Sequence, residues 1–534
     1  MKKFLLGAAV SVAMLGGGAA KAAITLLNGK VLVTPANTYE IYLSGASAVV
    51  GFIENLITNN GVVDIEQVCN PAAPIYKFQD NGNGTDQNAY YCTLNSTGST
   101  ANPQLVGLAA GKTELLIYKR SAGGSALGVA PIIADAKAPA NPAAGAVEFL
   151  NISNPALCTA PPTTGALRVS TCTYSPTTAG QFQLKKPDFG VSDVDPEQFR
   201  GVANTPAGFA AVTPSDVNLL TVESAFGQAF GITATLKLRN ALQEAQFGVG
   251  NACVGSNTEA CMPSLTRDQV ASIFVGDLDS WADLKIGASD LFAAATVKPG
   301  NARIHICTRT PGSGTGATFN INFLNYPCDA EATPPKADTG VLPEAIAQTQ
   351  VHAMSSAGNV DVCLRELDAG NNTIGANFNN IYTTGALPHR WALGIQGLER
   401  NANLASDWRF IKIDGVAPTL TNVVEGKYHN WTESTFQFAN NHVFDLSENL
   451  VVSELIKAAS NPVVVATLNA ALPHPFGAGA YLAVPNNFAP DANGNYVAAN
   501  PVNPYSHATV ADSVNNCRVP TVYSTTVTGG IQLQ

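Results

Sequence analysis

Three times the sequence passes from strand-forming residues, through a loop of small and hydroxylated residues, into a stretch with helical apolar spacing. The segments are Leu43-Ser44-Gly45-Ala46-Ser47, Arg120-Ser121-Ala122-Gly123-Gly124 and Thr308-Arg309-Thr310-Pro311-Gly312-Ser313-Gly314-Thr315-Gly316. Strands that alternate with helices point to an α/β fold in which helices cover a sheet. The loops also constrain the chemistry. Small residues let the backbone approach a ligand, and the first turn of a helix exposes unpaired N–H groups with a partial positive charge. Several such loops at the carboxyl ends of strands would form an anion site, with hydroxyls as extra donors.

Around these loops the apolar pattern predicts strands at 39–44, 114–118, 189–194, 303–307 and 391–395, and strand-like alternation from 219 to 235. It predicts helices at 46–59, after Gly124 to about 134, at 236–246, at 314–324 and over 450–472, the last broken at Pro462. Thr266-Arg267-Asp268-Gln269 has the form of a capping box that opens a further helix. Residues 65–112, rich in Asn, Gly, Thr and Pro, and 137–180, rich in Pro, Ala and Thr, read as mostly irregular insertions. A chain of 534 residues needs two or more cores, since single cores stop growing near ~250–300 residues.

Met1-Lys2-Lys3, the apolar run Phe4 to Leu15 and the small residues up to Ala23 have the form of a signal peptide, with Ala20-Lys21-Ala22 as its cleavage site. Removing residues 1–22 takes out Lys2, Lys3 and Lys21 and moves the formal charge from −10 to −13. That charge argues against nucleic acid as a partner. No later apolar run is long enough to span a bilayer, and no cysteine stands near the cleavage site to carry a lipid anchor. A periplasmic or secreted protein is expected. The even set of cysteines fits an oxidising compartment: Cys69, Cys92, Cys158, Cys172, Cys253, Cys261, Cys307, Cys328, Cys363 and Cys517. Nearest-neighbour pairing predicts 69–92, 158–172, 253–261 and 307–328, which leaves Cys363 for Cys517 and ties the middle of the chain to its end.

With a fourth segment, Asp188-Phe189-Gly190-Val191-Ser192-Asp193, the loops resemble the phosphate-binding proteins of bacterial ABC transporters, a branch of the two-lobed periplasmic solute-binding superfamily. Its members carry, in this order, a small-residue loop ending in Thr or Ser, a Ser-Ser-Gly-Gly loop, an Asp-Phe-Gly-x-Ser-Asp strand and an Arg-x-Asp-Gly-Ser-Gly-Thr loop. Leu265 to Trp281, Asp414 to Pro418 and Glu425 to Tyr428 are similar to further signatures of that family, so the resemblance spans roughly residues 38 to 460. It implies an α/β fold of two lobes: 23–222 with 400–534 as a discontinuous first lobe holding both insertions, 223–399 as the second, and a hinge near 222 and 399. It implies capture of inorganic phosphate, or a similar tetrahedral oxyanion, between the lobes for delivery to an ABC permease, with no cofactor.

Carried over by position, the resemblance gives Ser47 and Ser121 as hydroxyl and backbone donors, Arg309 as the guanidinium fork, and Ser313, Gly314 and Thr315 as donors at a helix start. Asp193 can only accept when ionised, so it favours a protonated P–OH over sulfate. Pro311 stands where the family has an acid and can neither accept a proton nor brace Arg309. Lys119 and Arg120, before the second loop, read as a solvated strand end or as extra charge in the cleft.

Catalysis finds little support. The histidines at 305, 352, 389, 429, 442, 474 and 507 show no i,i+4 metal pairing, and Ser313 lies outside any G-x-S-x-G elbow. Asp80 to Asp86 and Asp491 to Asn495 place oxygen ligands closely but lack the distal Glu of a calcium loop, so they read as tight turns. Trp281, Trp391, Trp408 and Trp431 read as packing residues. A competing function is a secreted surface or structural assembly protein that reuses the same fold, with the insertions serving self-association.

Overall fold

A computed structural model of the chain describes residues 33–522 apart from 59–61, 63–65, 83, 109–111, 288, 341, 343–347, 372–388, 443–445, 486–494 and 510–512, together with 26–27 and 30–31. The expected signal segment 1–22 and most of the stretch Asp491 to Asn495 lie outside the described residues. One 13-stranded sheet forms the frame. In chain order its strands are β1 (Thr38–Gly45), β2 (Ile75–Asp80), β3 (Gln87–Thr93), β4 (Glu114–Arg120), β5 (Leu167–Cys172), β6 (Phe189–Ser192) and β7 (Leu220–Thr235). Then come β8 (His305–Arg309), β9 (Gln350–Met354), β10 (Ala392–Gly397), β11 (Trp408–Phe410), β12 (Trp431–Ala439) and β13 (Tyr481–Ala483). They lie in the order β9-β8-β10-β7-β12-β6-β1-β4-β3-β2-β5, with β11 and β13 also paired to β7. The helices used below are α1 (Val50–Ile57), α2 (Ala130–Lys137), α3 (Leu236–Phe247), α4 (Arg267–Val275), α5 (Gly314–Leu324), α6 (Ala357–Ala369), α7 (Leu446–Ala459) and α8 (Pro462–Ala470).

The alternation at 219–235 forms one strand of 16 residues. Its first part pairs with β12 from Leu220↔Ala439 to Ala229↔Trp431, and its last part with β10 from Phe230↔Gly397 to Ala234↔Leu393. β7 is therefore the spine shared by two halves of the sheet, about 50 Å long at ~3.3 Å per residue. In the first half β1 runs parallel to β4 and β6. Alternate residues of β1 enter opposite cores: Tyr39, Ile41 and Leu43 pack with Phe52, Val451 and Val465 from α1, α7 and α8, while Tyr42 packs with Tyr118, Ile132 and Phe149. In the second half β8 runs parallel to β9 and β10. Ile306 and Trp391 meet Leu238, Phe274 and Trp281 on one face, and Cys307 and Ala392 meet Leu364, Trp408 and Leu420 on the other. The mixed α/β class expected from the loops is the class observed.

Local signals hold well. Thr266 and Gln269 close the capping box at the start of α4, and the helix over 450–472 divides into α7 and α8 at Pro462. The four tryptophans are buried. No single helix among the described residues is long and apolar enough to cross a membrane; α7 and the bent α8 pass such a test only together, and both pack into the first-half core.

The insertions add strands that the sequence did not announce. Most of the 65–112 insertion lies outside strands, as expected, but it also supplies β2 and β3, which extend the main sheet antiparallel from β4, with Gln87 opposite Arg120. The 137–180 insertion supplies β5, parallel to β2 at the sheet's end. The Asn/Gly-rich turn between β2 and β3 masks their alternation in the sequence. Asp80 accepts there from the N–H groups of Gly82, Gly84, Asp86 and Gln87, so its carboxylate folds a turn.

One expectation is corrected, and it concerns the disulfides. Three pairs are as expected, 69–92, 158–172 and 253–261. The other two are Cys307–Cys363 and Cys328–Cys517, in place of 307–328 and 363–517. The reason is tertiary: α6 lies across the sheet and sets Cys363 over Cys307 of β8, with Cα atoms 6.1 Å apart.

Candidate functional site

β1 ends at Gly45, where φ is +121° and a Cβ would lie 2.0 Å from the Val191 carbonyl oxygen, so only glycine fits. The Ala46 N–H donates to that same carbonyl at 2.9 Å and ties the first loop to β6. Helix α1 begins at Val50, so Ser47 sits just ahead of the helix and not at its first turn as expected.

The second loop uses its donors internally. The N–H groups of Ser121 and Ala122 both point to the Asp86 carbonyl, at 2.7 and 3.2 Å, and the Ser121 hydroxyl accepts from Lys119 Nζ at 3.1 Å. Lys119 is fully buried and also donates to the carbonyls of Gly45, Ala46 and Arg120. Burial lowers its ammonium to about 7 against the pull of Asp193. Arg120 is buried too and pairs with Glu148 at 3.3 Å. Neither residue is a solvated strand end. Lys119 instead clamps the backbone of the first loop to the second, because an ammonium has three donors and finds carbonyls from both. Ser125, which sequence reasoning passed over, is the serine of this loop that reaches Asp193. It is fully buried, and its hydroxyl accepts from the Asp193 N–H at 3.2 Å and bonds the carboxyl. Its only signal in the sequence is its place directly after Gly123-Gly124.

Asp193 follows β6 and is 1% exposed. Burial pushes its carboxyl up to about 6, opposed by Arg309, Ser125, Lys119 and Thr315. Among the described residues its Oδ1 has no hydrogen-bond partner. Arg309 ends β8, is 6% exposed, and spreads its fork over both halves of the molecule. Nη2 donates to Ser47 Oγ at 3.1 Å and to the Ser355 carbonyl at 3.2 Å, Nη1 to Thr315 Oγ1 at 3.4 Å, and Nε to the Met354 carbonyl at 3.3 Å. Burial lowers its pKa to about 10, with Asp193 and then Glu399 acting in the opposite direction.

Ser313 caps α5 by accepting from the Gly316 N–H at 3.2 Å. Gly314, the first helical residue, packs so closely on the other half that a Cβ would stand 2.3 Å from Ser125 Oγ and 2.6 Å from Asp193 Cβ. The Ala126 N–H donates to the Gly312 carbonyl at 2.9 Å. Further along α5, Ala317 and Ile321 pack with Val194 and Phe199, Thr318 meets Thr432 at 3.0 Å, and Asn320 donates to Asn204 at 2.8 Å. The structure thus gathers Ser47, Asp193, Arg309, Ser313, Gly314 and Thr315 at one seam between the halves. Ser121 stands behind them, joined through Lys119. Such an arrangement offers a guanidinium, several hydroxyls and a helix N-terminus, together with a buried acceptor.

Several solved structures are similar to the chain. A Clostridium perfringens protein assigned as a phosphate ABC transporter substrate-binding protein, solved with bound phosphate, shares 11% identity at a TM-score of 0.36, covering 80% of this chain and 98% of that one. PstS from Borrelia burgdorferi shares 10% at 0.32, covering 80% and 96%. An ABC-type phosphate transport receptor from Vibrio cholerae shares 13% at 0.28, covering 53% and 78%. No family model and no curated protein matches the sequence.

Proposed function

We propose that the chain is an exported solute-binding protein that captures a tetrahedral oxyanion, inorganic phosphate in the first place, at the seam between its halves and passes it to a membrane ABC permease. The observation that carries this reading is the meeting of Arg309 with Ser47 across the seam, beside a buried Asp193 whose Oδ1 lacks a donor among the described residues. A guanidinium and hydroxyls supply charge-assisted donors, and the carboxyl asks for a ligand that also carries a proton. Pairing of all ten cysteines supports export to an oxidising compartment. The lobes follow the halves of the sheet, 23–222 with the chain's end against 223–399, and 408–424 joins the second lobe because Trp408, Phe410 and Leu420 pack there. Closure is favoured by the ligand because only closed lobes bring all donors to one point.

Calorimetry with phosphate, sulfate and arsenate tests this on the wild type and on Arg309→Ala. One charge-assisted bond is worth roughly 1.5–3 kcal/mol, so Arg309→Ala should weaken phosphate by about 10- to 150-fold. Unchanged phosphate affinity removes the site.

A second reading, assembly between copies, is favoured by one observation. β5 closes the sheet, and its Leu167 and Val169 are 38% and 37% exposed. An edge strand with outward apolar side chains is a template for pairing with another chain. Gel filtration separates the readings: a monomer supports capture, and concentration-dependent polymers support assembly.

A further inference from the structure

Pro311 leaves Arg309 without the acid its own loop could have carried, and the structure offers another from elsewhere. Glu399 stands just past β10, which runs parallel to β8 with Cys307 opposite Gly394. Arg309 and Glu399 therefore leave the sheet from the same edge. Gln228, fully buried on β7, donates from Nε2 to Glu399 Oε2 at 2.8 Å and holds the carboxyl inward. Oε1 is shut from solvent and has no partner among the described residues, the same condition as Asp193 Oδ1. The groups facing these carboxyls are Arg309 from β8, Arg400 next in the chain, Lys119 from β4 and Tyr481 from β13. Two buried carboxyl oxygens without donors among the described residues therefore lie within electrostatic reach of one guanidinium. A ligand that satisfies all three must bring negative charge and more than one proton. Sulfate brings only the charge.

We propose that Glu399 is a second specificity-determining acceptor, which with Asp193 makes the site select an oxyanion that shares two protons with the protein. This rests on the oxyanion reading above. Drawn as a singly charged phosphate against two carboxylates, or as a doubly charged one against one carboxylic acid and one carboxylate, the complex holds the same two protons. Burial first, and then the charge of Asp193, lifts Glu399 to about 7 against Arg400 and the Gln228 hydrogen bond, so near neutral pH its proton is available to either partner.

The proposal is tested by calorimetry near pH 8 in two buffers of different ionisation enthalpy, which counts the protons taken up when phosphate binds. The wild type should take up about one proton, and Glu399→Gln should take up about one fewer while still binding phosphate. The phosphate-to-sulfate affinity ratio should fall by at least about tenfold in Glu399→Gln and stay near the wild-type value in Glu399→Asp, which keeps a carboxyl. Wild-type binding with no proton uptake overturns the proposal without any variant. Phosphate binding with uptake and selectivity unchanged in Glu399→Gln overturns the role of Glu399 alone. A wild type that binds neither anion overturns the oxyanion reading itself.

Discussion

Exchanging Cys328 and Cys517 for serine cuts the disulfide that joins the two halves. Cys328 follows α5 of the second half, while Cys517 lies beside Gln198 and Arg200, and the neighbouring Asn516 bonds Asp195 of the first half. The other four pairs stay within a half. The bonded residues are 189 apart in sequence. Loop-closure entropy for a loop that long amounts to about 5 kcal/mol of constraint on the unfolded chain. That is comparable with the whole stability of many domains, roughly 5–15 kcal/mol. The α5 contacts of Ala317, Ile321 and Asn320 remain in the variant, so the halves should still meet but should part reversibly. The double variant should lose about 3–5 kcal/mol in guanidinium unfolding, and its halves should unfold in separate transitions. Small-angle scattering should show a larger radius of gyration in the variant without phosphate. A stability change under about 1 kcal/mol with an unchanged scattering profile would refute the reasoning, since packing alone would then hold the halves together.

Three further outcomes follow from individual side chains. Asp193 has a folded-state pKa raised by burial to about 6, so the folded chain binds its proton more tightly than the unfolded one and stability falls as pH rises from about 4 through 6. Asp193→Asn should therefore be more stable than the wild type above that window, by up to about 3 kcal/mol, while losing phosphate selectivity; melting curves from pH 4 to 8 check this, and a variant less stable near pH 8 contradicts it. Gly314→Ala places a methyl on Ser125 and Asp193, and differential scanning calorimetry should show a loss of about 1–3 kcal/mol from overpacking at the seam. Burial raises the Glu433 pKa, but the His507 charge and bonds from His507 and Ser506 outweigh it, and the net shift is downward. Its contribution is present above the ordinary Glu range and lost as pH falls through the lowered folded value, so Glu433→Gln should lower the melting temperature near pH 7 and the gap should close toward pH 3.

Much of the frame was legible because its signals are local. A capping box, a helix broken at proline, a serine that caps α5 and a glycine that the β1 turn requires are each written within a few residues. The family resemblance carried by the four loop and strand motifs named Ser47, Asp193, Arg309 and Thr315 together, and hydrogen bonds join Arg309 to Ser47 and to Thr315. Legibility stopped where an alternating strand was short and bordered by turn residues, as with β2 and β3.

What the sequence determined by itself was the alphabet of the fold: strand, small-residue loop, helix, and the donor chemistry that those loops carry. Tertiary structure alone decided the partners. Cys363 meets Cys307 because α6 crosses β8, Ser125 and not Ser121 reaches Asp193 because the second loop spends two N–H groups on Asp86, and Glu399 comes within electrostatic reach of Arg309 because β8 and β10 are parallel neighbours. Period and capping depend on residues a turn or a pleat apart, whereas these contacts depend on how distant elements cross, and no local pattern records that crossing.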